Sequence, residues 1–343
     1  MILTYLKHQE EYSQKYGDKT IVLMQVGSFM EFYEYDPEKS EQIVAWPTKK
    51  LGLVTEATSL LNIMMTMKDK KKPYNLSNTA MAGFPIVSYE KHRDVLLNNN
   101  YTIVKIEQRN TESGIDRIVT EILSPTTSFE NIANIPITNN IVSIYVEILK
   151  ETFLPEDYVI VIGLSCIDVT TGENKVLEIY SQTDNAVFAI QELYRYLSIT
   201  KPKEVLLTLT SLKNTEYDRY LIEALKLDNC IVNKQVDKEY LKIEYQTNFL
   251  SKVFTTSKNI IEDLSLERIY YGTISYIILL QFCYEHNPIC IEKLYRPNTS
   301  WIDGEKYLIL THNAIDQLDL MPGKNKAKHN RKNKVIDSLF FSC

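Results

Sequence analysis

The chain of 343 residues is long enough for about two or three domains. A hydrophobic content of 44% and a charged content of 24% are typical of a globular protein and exclude wholesale disorder. The formal net charge of −6 excludes a basic protein that coats nucleic acid through its bulk charge, but it does not exclude a local DNA site. The acidic excess is concentrated in residues 126–255, which alone carry a net charge of −6.

The five cysteines predict no zinc or redox site, because no two of them form a Cys-x-x-Cys pair. Free thiols in a reducing compartment are expected instead. The longest apolar stretch, Ile274–Tyr284, is about half a membrane span, and the apolar run at the N-terminus is too short for a signal peptide. We therefore expect a soluble, intracellular protein without a membrane partner.

The first 125 residues are predicted to form a mixed α/β domain, because strand-like apolar runs alternate with helical patterns. Gly27-Ser28 is predicted to be a turn between two strands, and Ser88 the N-cap of a helix. The predicted elements, in chain order, are a helix at 2–16, strands at Ile21–Val26 and Phe29–Tyr35, a short helix at 38–47, a strand at Leu60–Met67, a helix at 88–98, and strands at 102–106 and 115–123.

The rest of the chain is predicted to contain a linker at 126–149, a second α/β domain at 150–255, and a mostly helical segment at 256–343 with a buried helix at Ile274–Tyr284. The elements predicted for the second domain are strands at 158–169 and 175–181, a helix at 185–197, a strand at 204–209 and a helix at 212–225.

The most informative segment is Gly27-Ser28-Phe29-Met30-Glu31-Phe32-Tyr33, which begins at the predicted turn. Alternation along a strand puts Phe29 and Glu31 on the same face. An exposed aromatic ring at a turn is suited to wedging between bases, and a wedge of this kind detects weak base steps rather than sequence. A nearby carboxylate accepts hydrogen bonds from an unpaired base edge and is repelled by phosphates. A core role for Phe29 with Glu31 in solvent is the alternative.

Two lysine-rich segments are expected to be solvated, with contacts to DNA phosphates as the alternative. Lys68, Lys70, Lys71 and Lys72 lie in a predicted loop of the first domain. The second segment, 324–334, contains six basic groups and no acidic one.

The segment that begins at Gly27 resembles the Gly-Asp-Phe-Tyr-Glu-Met-Phe segment of the MutS DNA mismatch repair family, with Ser28 and Met30 in place of Asp and Tyr. Further segments resemble the family in the same order, so the resemblance covers essentially the whole chain. They are Tyr5-Leu6-Lys7 with Tyr12, Met81–Pro85, Val104–Gln108, Arg117–Thr127, Gly163–Glu173, and Asn313–Leu318 with Ser338–Phe340. The Asn-, Ile-, Lys- and Tyr-rich composition is similar to that of the divergent giant-virus and octocoral-mitochondrial branch.

This resemblance implies a fold and a function. Residues 1–125 would be a mixed-sheet mismatch-recognition domain, 150–255 an RNase H-like connector domain, and 256–343 the incomplete, mostly helical start of the core or lever domain. Phe29 would stack on the mispaired base and Glu31 would hydrogen-bond it. The implied partner is double-stranded DNA with mismatches or small loops, together with a dimer partner or a separately encoded C-terminal part of the family.

The resemblance also implies that this chain lacks the family's motor. That motor is an ATPase whose Gly-x-x-x-x-Gly-Lys-Ser/Thr loop binds phosphates with its backbone amides. The one Gly-Lys pair, Gly323-Lys324, has Leu318 in place of the first glycine and Asn325 in place of Ser or Thr. We therefore expect no enzymatic activity and no cofactor, since ATP and Mg²⁺ belong to the family's ATPase domain. A split gene, a truncated gene and a fragment remain open.

Two other functions are open. An RNase H-like domain with metal-binding acids would be a nuclease, and Asp168, Glu178 and Glu204 are its candidate ligands, although two-metal hydrolysis needs carboxylates that converge. Asp168 is expected to cap the turn Thr170–Gly172 rather than to bind a metal ion. The other alternative is a protein-interaction module, or an inactive truncated member of the family, that does not bind DNA.

Overall fold

The computed structural model describes residues 1–40, 44–111, 114–127, 139–150, 158–181, 188–209, 221–225, 227, 230–233, 236–254 and 259–300. Predictions for 212–220 and for the basic segment 324–334 lie outside the described residues. Residues 1–299 form one compact unit. The described part of this unit contains two mixed β-sheets with helices on their faces, which confirms the predicted mixed α/β class.

The first sheet has the strand order β3-β4-β2-β1-β5-β6. Its strands are β1 (Thr20–Val26), β2 (Phe29–Glu34), β3 (Thr66–Met67), β4 (Ala80–Pro85), β5 (Thr102–Thr111) and β6 (Gly114–Leu123). Only the pairing of β1 with β5 is parallel among the described strands of this sheet. The hairpin formed by β1 and β2 therefore lies at the centre of the sheet. Strand β5 pairs with β1 on one side of this hairpin, and β4 pairs with β2 on the other side.

Helices cover both faces of the first sheet. Helix α1 (Ile2–Tyr16) lies on the face of Tyr33, whose ring is 5.0 Å from that of Tyr5. On the opposite face, α2 (Val54–Leu61) contacts β2 through a 2.7 Å hydrogen bond from the Thr55 hydroxyl to Glu34. Helix α3 (Tyr89–Asn98) packs on this second face as well, with the rings of His92 and Phe84 4.3 Å apart. The strands are apolar on both faces because both faces are covered.

The second sheet has the order β11-β10-β7-β8-β9. Its strands are β7 (Asn140–Lys150), β8 (Tyr158–Asp168), β9 (Asn174–Tyr180), β10 (Glu204–Leu209) and β11 (Cys230–Asn233). Strands β7, β8 and β9 form an antiparallel meander, and β10 is parallel to both β7 and β11. Helix α4 (Phe188–Thr200) lies between β9 and β10 in the chain, and its buried Tyr196 lies close to Cys166 of β8.

Within the described residues after β11, the α-helices are α5 (Ile243–Val253), α6 (Ile260–Asp263), α7 (Tyr270–His286) and α8 (Ile289–Glu292). Helix α7 lies on the face opposite α4, where Ser275 donates a 2.8 Å hydrogen bond to the Ser143 carbonyl oxygen. Gly163 of β8 permits this approach, because a Cβ there would overlap the carbonyl oxygen of Tyr271. The carboxylate of Glu178 in β9 accepts hydrogen bonds from the backbone N–H groups of Tyr271 at 2.7 Å and Gly272 at 3.1 Å.

The segment Ser124–Thr127, which follows β6 of the first sheet, is hydrogen-bonded to the second sheet. The carboxylate of Glu204, at the start of β10, accepts hydrogen bonds from the hydroxyl of Ser124 at 2.7 Å and from the N–H and hydroxyl of Thr126. The Asn139 amide donates to the Thr126 carbonyl oxygen at 2.9 Å. Burial raises the pKa of Glu204 to about 7, although these donors and Lys203 act in the opposite direction.

A second contact between the sheets runs from α1 to α7. Lys15 forms a 2.7 Å ion pair with Glu285, and the Tyr16 hydroxyl donates to the same carboxylate at 3.2 Å. Tyr16 is buried, and its ring meets that of His286 edge-on at 4.7 Å. The sheets therefore contact each other through side chains as well as through the connecting segment.

Several predicted elements of the first sheet are wrong. The strand predicted at Leu60–Met67 is mostly helix and loop, because α2 continues to Leu61 and ends at Asn62 in the left-handed conformation, with φ of 53°. Strand β4 was not predicted. The short helix predicted at 38–47 is a 3₁₀ turn at Pro37–Lys39, with residues 41–43 outside the described residues. Ser88 is the N-cap residue of α3, as predicted, but its side chain makes no cap hydrogen bond.

The structure also differs from the sequence prediction in the predicted linker and in the predicted third segment. The second part of the linker predicted at 126–149 forms β7, whose side chains Ile141, Val142 and Ile144 are fully buried. Helix α7 contains the buried helix predicted at Ile274–Tyr284 within the third segment, but it packs on the second sheet instead of belonging to a separate domain. The division of the chain into recognition, connector and core domains stays a prediction.

The membrane prediction can be compared with the helices that the structure describes. Within these residues, no helix has both the length and the apolar composition needed to cross a membrane.

Candidate nucleic-acid interface

The turn between β1 and β2 is held by two glutamine side chains. Gly27 adopts a φ of 61°, which glycine reaches without strain. Its N–H donates to the side-chain oxygen of Gln108 at 3.2 Å, and its carbonyl oxygen accepts from the Gln25 amide at 3.1 Å. The backbone N–H of Gln108 donates to Gln25 at 3.0 Å. The turn is therefore fixed against β5 by a closed set of hydrogen bonds.

Phe29 is the first residue of β2 and is 45% exposed, whereas Met30 and Phe32 after it are buried. Its backbone is paired on both sides, with Val26 of β1 and Pro85 of β4. The alternation that the sequence predicts is present, since Phe29 and Glu31 point away from the buried pair. A large apolar ring is thus presented to solvent from a backbone that cannot easily move.

Glu31 is half-buried on the same face, and its Oε2 atom accepts a hydrogen bond from the Tyr33 hydroxyl. The Tyr33 side chain is fully buried. Burial and the bond to Glu31 hold the pKa of Tyr33 well above its ordinary value, so the hydroxyl stays protonated and acts as the donor. Opposite Glu31 in β4 lies Gly83, where a Cβ would be 3.2 Å from the Glu31 Cγ atom.

Another exposed apolar side chain lies near Phe29 and is not predicted from the sequence. Val87 is 94% exposed and follows Ile86, whose N–H donates to the Ser28 carbonyl oxygen at 3.0 Å. Sequence reasoning also missed the roles of Gln25 and Gln108. Gln108 lies within a segment that carries the family resemblance, and this was the available signal.

The four candidate lysines are exposed on the loop between β3 and β4, as predicted. Asn78 organises this loop, because its amide donates to the carbonyl oxygens of Asp69 at 2.9 Å and Lys72 at 3.1 Å. The loop precedes Ala80, whereas the partner of Phe29 is Pro85 at the other end of β4, so about 17 Å of strand separates the two. The structure does not bring Lys68, Lys70, Lys71 and Lys72 to the β1–β2 turn.

The three acidic candidates for metal binding have separate structural partners. Asp168 accepts a 2.9 Å hydrogen bond from the backbone N–H of Thr170, which confirms that it caps the turn as predicted. Glu178 binds the start of α7, and Glu204 binds the segment between the sheets. Among the described residues, no group of three or more His, Cys, Asp or Glu side chains could hold a metal ion.

Comparison with known proteins identifies what the chain is similar to. Residues 4–131 match the family described as MutS domain I. The putative DNA mismatch repair protein mutS homolog L359 of Acanthamoeba polyphaga mimivirus is 28% identical over 364 residues, covering 98% of this chain and 30% of that protein. The mitochondrial DNA mismatch repair protein mutS homolog of Sarcophyton glaucum is 24% identical, covering 94% of this chain and 35% of that protein. The DNA mismatch repair protein MutS of Staphylococcus aureus strain JH9 is 28% identical, covering 51% and 17% respectively.

These matches describe an α/β protein in which the region that contains the first sheet is similar to MutS domain I. The chain is thus similar to members of the MutS family, and its residues 4–131 are similar to their domain I. It spans about a third of the length of the viral and mitochondrial relatives, at 30% and 35%. The similarity to these two relatives agrees with the resemblance to the giant-virus and octocoral branch.

Proposed function

We propose that this chain acts in DNA mismatch repair by binding double-stranded DNA at mispaired bases or small loops. In this proposal Phe29 stacks on the mispaired base and Glu31 accepts a hydrogen bond from it. The relatives named above are described as DNA mismatch repair proteins. The observation that carries the site assignment is the exposed ring of Phe29 on a turn braced by Gln25 and Gln108.

The physical argument concerns the cost of opening a base step. Inserting an aromatic wedge unstacks a step at a cost of about a few kcal/mol, and the cost is smaller where pairing is already defective. A ring on a fixed backbone loses little conformational entropy when it inserts. The carboxylate of Glu31, on the same face, is repelled by the phosphates of a regular duplex, so it favours a site where a base edge is exposed.

The first experiment compares binding of the chain to a duplex with one G·T mispair and to the matched duplex at a stated salt concentration. Base–aromatic stacking is worth about 1–3 kcal/mol, so Phe29→Ala is expected to lower the preference for the mispair by about tenfold. Tyr295→Ala is the matched control, because Tyr295 is also an exposed aromatic, at 64%, and lies far along the chain after α8. The control is expected to keep the full preference.

Equal binding of the wild-type chain to both duplexes would refute the proposed function. A mispair preference that Phe29→Ala leaves unchanged would refute the role of Phe29 alone. The interaction-module alternative corresponds to the first outcome, in which the chain folds but has no preference for mispaired DNA.

We further propose that Lys68, Lys70, Lys71 and Lys72 contact phosphates away from the mispair. This follows from their exposure on a loop about 17 Å from Phe29 along β4. Replacing all four by Gln is expected to weaken binding to mispaired and matched duplexes equally and to flatten the dependence on salt between about 50 and about 200 mM. An unchanged salt slope would contradict this role, and Phe29→Ala provides a control in which the slope stays constant.

We propose that the chain binds DNA without catalysing a reaction and without a cofactor of its own. The three candidate acids are occupied by hydrogen bonds in three different places, which supports a binding function over hydrolysis. The test is a Mg²⁺-dependent nuclease assay of the wild-type chain and Asp168→Ala, together with an ATPase assay. Wild-type cleavage that the substitution abolishes would overturn this proposal. A dimer partner or a separate C-terminal part remains part of the same proposal.

A further inference from the structure

One residue of the Gly27–Tyr33 segment differs from the family segment in a way that adds a functional group. The family segment ends in Phe, and this chain has Tyr33 at that place. The added hydroxyl is not free in the core, because it donates a hydrogen bond to Oε2 of Glu31. The extra group therefore acts on the carboxylate that the proposed function assigns to base recognition.

Tyr33 is a rigid donor. Its side chain is fully buried in β2, and its ring packs edge-on against Tyr5 of α1, with an interplanar angle of 66°. The Tyr5 hydroxyl is itself fixed by a 3.0 Å hydrogen bond to the Val22 carbonyl oxygen. The ring of Tyr33 is thus held between the strand and the helix, and its hydroxyl donates to Glu31 from a fixed position.

The bond to Tyr33 leaves the two oxygen atoms of Glu31 unequal. Oε2 is used by the buried hydroxyl, whereas Oε1 has no hydrogen bond within the described part of the chain. Gly83 faces Glu31 across the strand pair, so β4 places no side chain directly opposite the carboxylate. One oxygen atom is anchored, and the other is available as an acceptor on the face that carries Phe29.

We propose that Tyr33 is a positioning residue that aims Oε1 of Glu31 at the mispaired base and makes the site selective for bases that present an N–H donor at their edge. This inference rests on the proposed function. A carboxylate accepts and does not donate, so an oriented acceptor favours an imino or amino N–H over a base edge that offers only acceptors. Without the hydroxyl, the carboxylate rotates and the selectivity falls.

The experiment measures a ratio within each variant, so that losses of overall affinity cancel. Duplexes contain guanine opposite either thymine or its difluorotoluene isostere, which has the shape of thymine and lacks the N3–H group. Hydrogen bonds to charged groups contribute enough for the wild-type chain to be expected to prefer thymine by about tenfold. Tyr33→Phe is expected to reduce this ratio to about twofold while the preference for mispaired over matched DNA persists through Phe29.

Tyr35→Phe is the matched control. Tyr35 is also a fully buried tyrosine, but its hydroxyl has no hydrogen-bond partner among the described residues, so its removal is expected to leave the ratio unchanged. Glu31→Gln provides a second variant that leaves Tyr33 intact and is expected to lower the ratio as Tyr33→Phe does. Thermal unfolding of each variant checks that the ratio is measured on folded protein.

The possible failures are distinct. If the wild-type chain does not distinguish mispaired from matched DNA, the proposed function fails, and this inference fails with it. If the chain prefers mispaired DNA but Tyr33→Phe keeps the tenfold ratio, only the positioning role of Tyr33 is overturned. The same conclusion follows if the wild-type chain binds thymine and its isostere equally.

Discussion

Glu204 is expected to make the stability of the chain fall as the pH rises, and Glu204→Gln is expected to remove this dependence. The folded-state pKa of about 7 lies above the ordinary value of 4.5, because burial disfavours the ionised carboxylate more than its donors and Lys203 favour it. The folded state therefore holds this proton more tightly than the unfolded state. The stabilisation is complete below pH 4.5 and is lost as the pH rises through about 7.

The size of the effect follows from the shift. A displacement from 4.5 to about 7 corresponds to about 3 kcal/mol between the two ends of the range, at about 1.4 kcal/mol per unit. Glutamine keeps an acceptor oxygen for the Ser124 hydroxyl and for Thr126 and does not titrate. The free energy of unfolding of Glu204→Gln minus that of the wild-type chain should therefore increase by about 3 kcal/mol from low to high pH.

Urea unfolding at several values between about pH 5 and about pH 8 measures this difference, and the other carboxyl groups cancel because both chains contain them. Glu173→Gln is the matched control, since Glu173 is exposed beside the Asp168 turn and does not lie between the sheets. A difference between Glu204→Gln and the wild-type chain that stays constant with pH would refute the reasoning. A difference of the opposite sign would show that the donors to Glu204 outweigh its burial.

Three further substitutions test the packing. Gly163→Ala should destabilise the chain by about 2–3 kcal/mol in thermal unfolding, because its Cβ overlaps the Tyr271 carbonyl oxygen; an unchanged melting temperature would contradict the close approach of α7. Glu178→Ala should cost about 1 kcal/mol in urea unfolding by removing the acceptor for the first N–H groups of α7, and no loss would show that water replaces it. Gly83→Ala should lower both the free energy of unfolding and the preference for mispaired DNA, since its Cβ would lie 2.8 Å from the Met30 carbonyl oxygen and 3.2 Å from the Glu31 Cγ; a variant with the stability and preference of the wild-type chain would contradict this.

Local patterns predicted the hairpin that carries the candidate site but not the strand beside it. The apolar run before Gly27 and the alternation after Ser28 predict β1, the turn and β2, because these depend on residues close in sequence. Strand β4 was missed because Ala80–Pro85 contains Gly83 and Pro85, which are unfavourable in a strand. Its pairing with β2 supplies what the local propensity lacks.

In the candidate site too, some features were predictable from local sequence and others depend on tertiary packing. Phe29 and Glu31 were identified from the segment and its resemblance to a family, and their shared face follows from the period of a strand. The partner of Glu31 could not be predicted, because strand alternation puts Tyr33 on the same side without showing where its hydroxyl points. The contact depends on the packing of Tyr5 from α1, which is distant in sequence.

The sequence by itself determined the mixed α/β class, the resemblance to the MutS family, the turn at Gly27-Ser28 and the two residues proposed for mispair recognition. Each of these is encoded by residue types and short spacings. Only the tertiary structure decided that α7 covers the second sheet and that Glu204 holds the segment between the sheets. The physical reason is that periodicity specifies which face of an element is buried, whereas the element that covers this face is selected by packing between residues far apart in the chain.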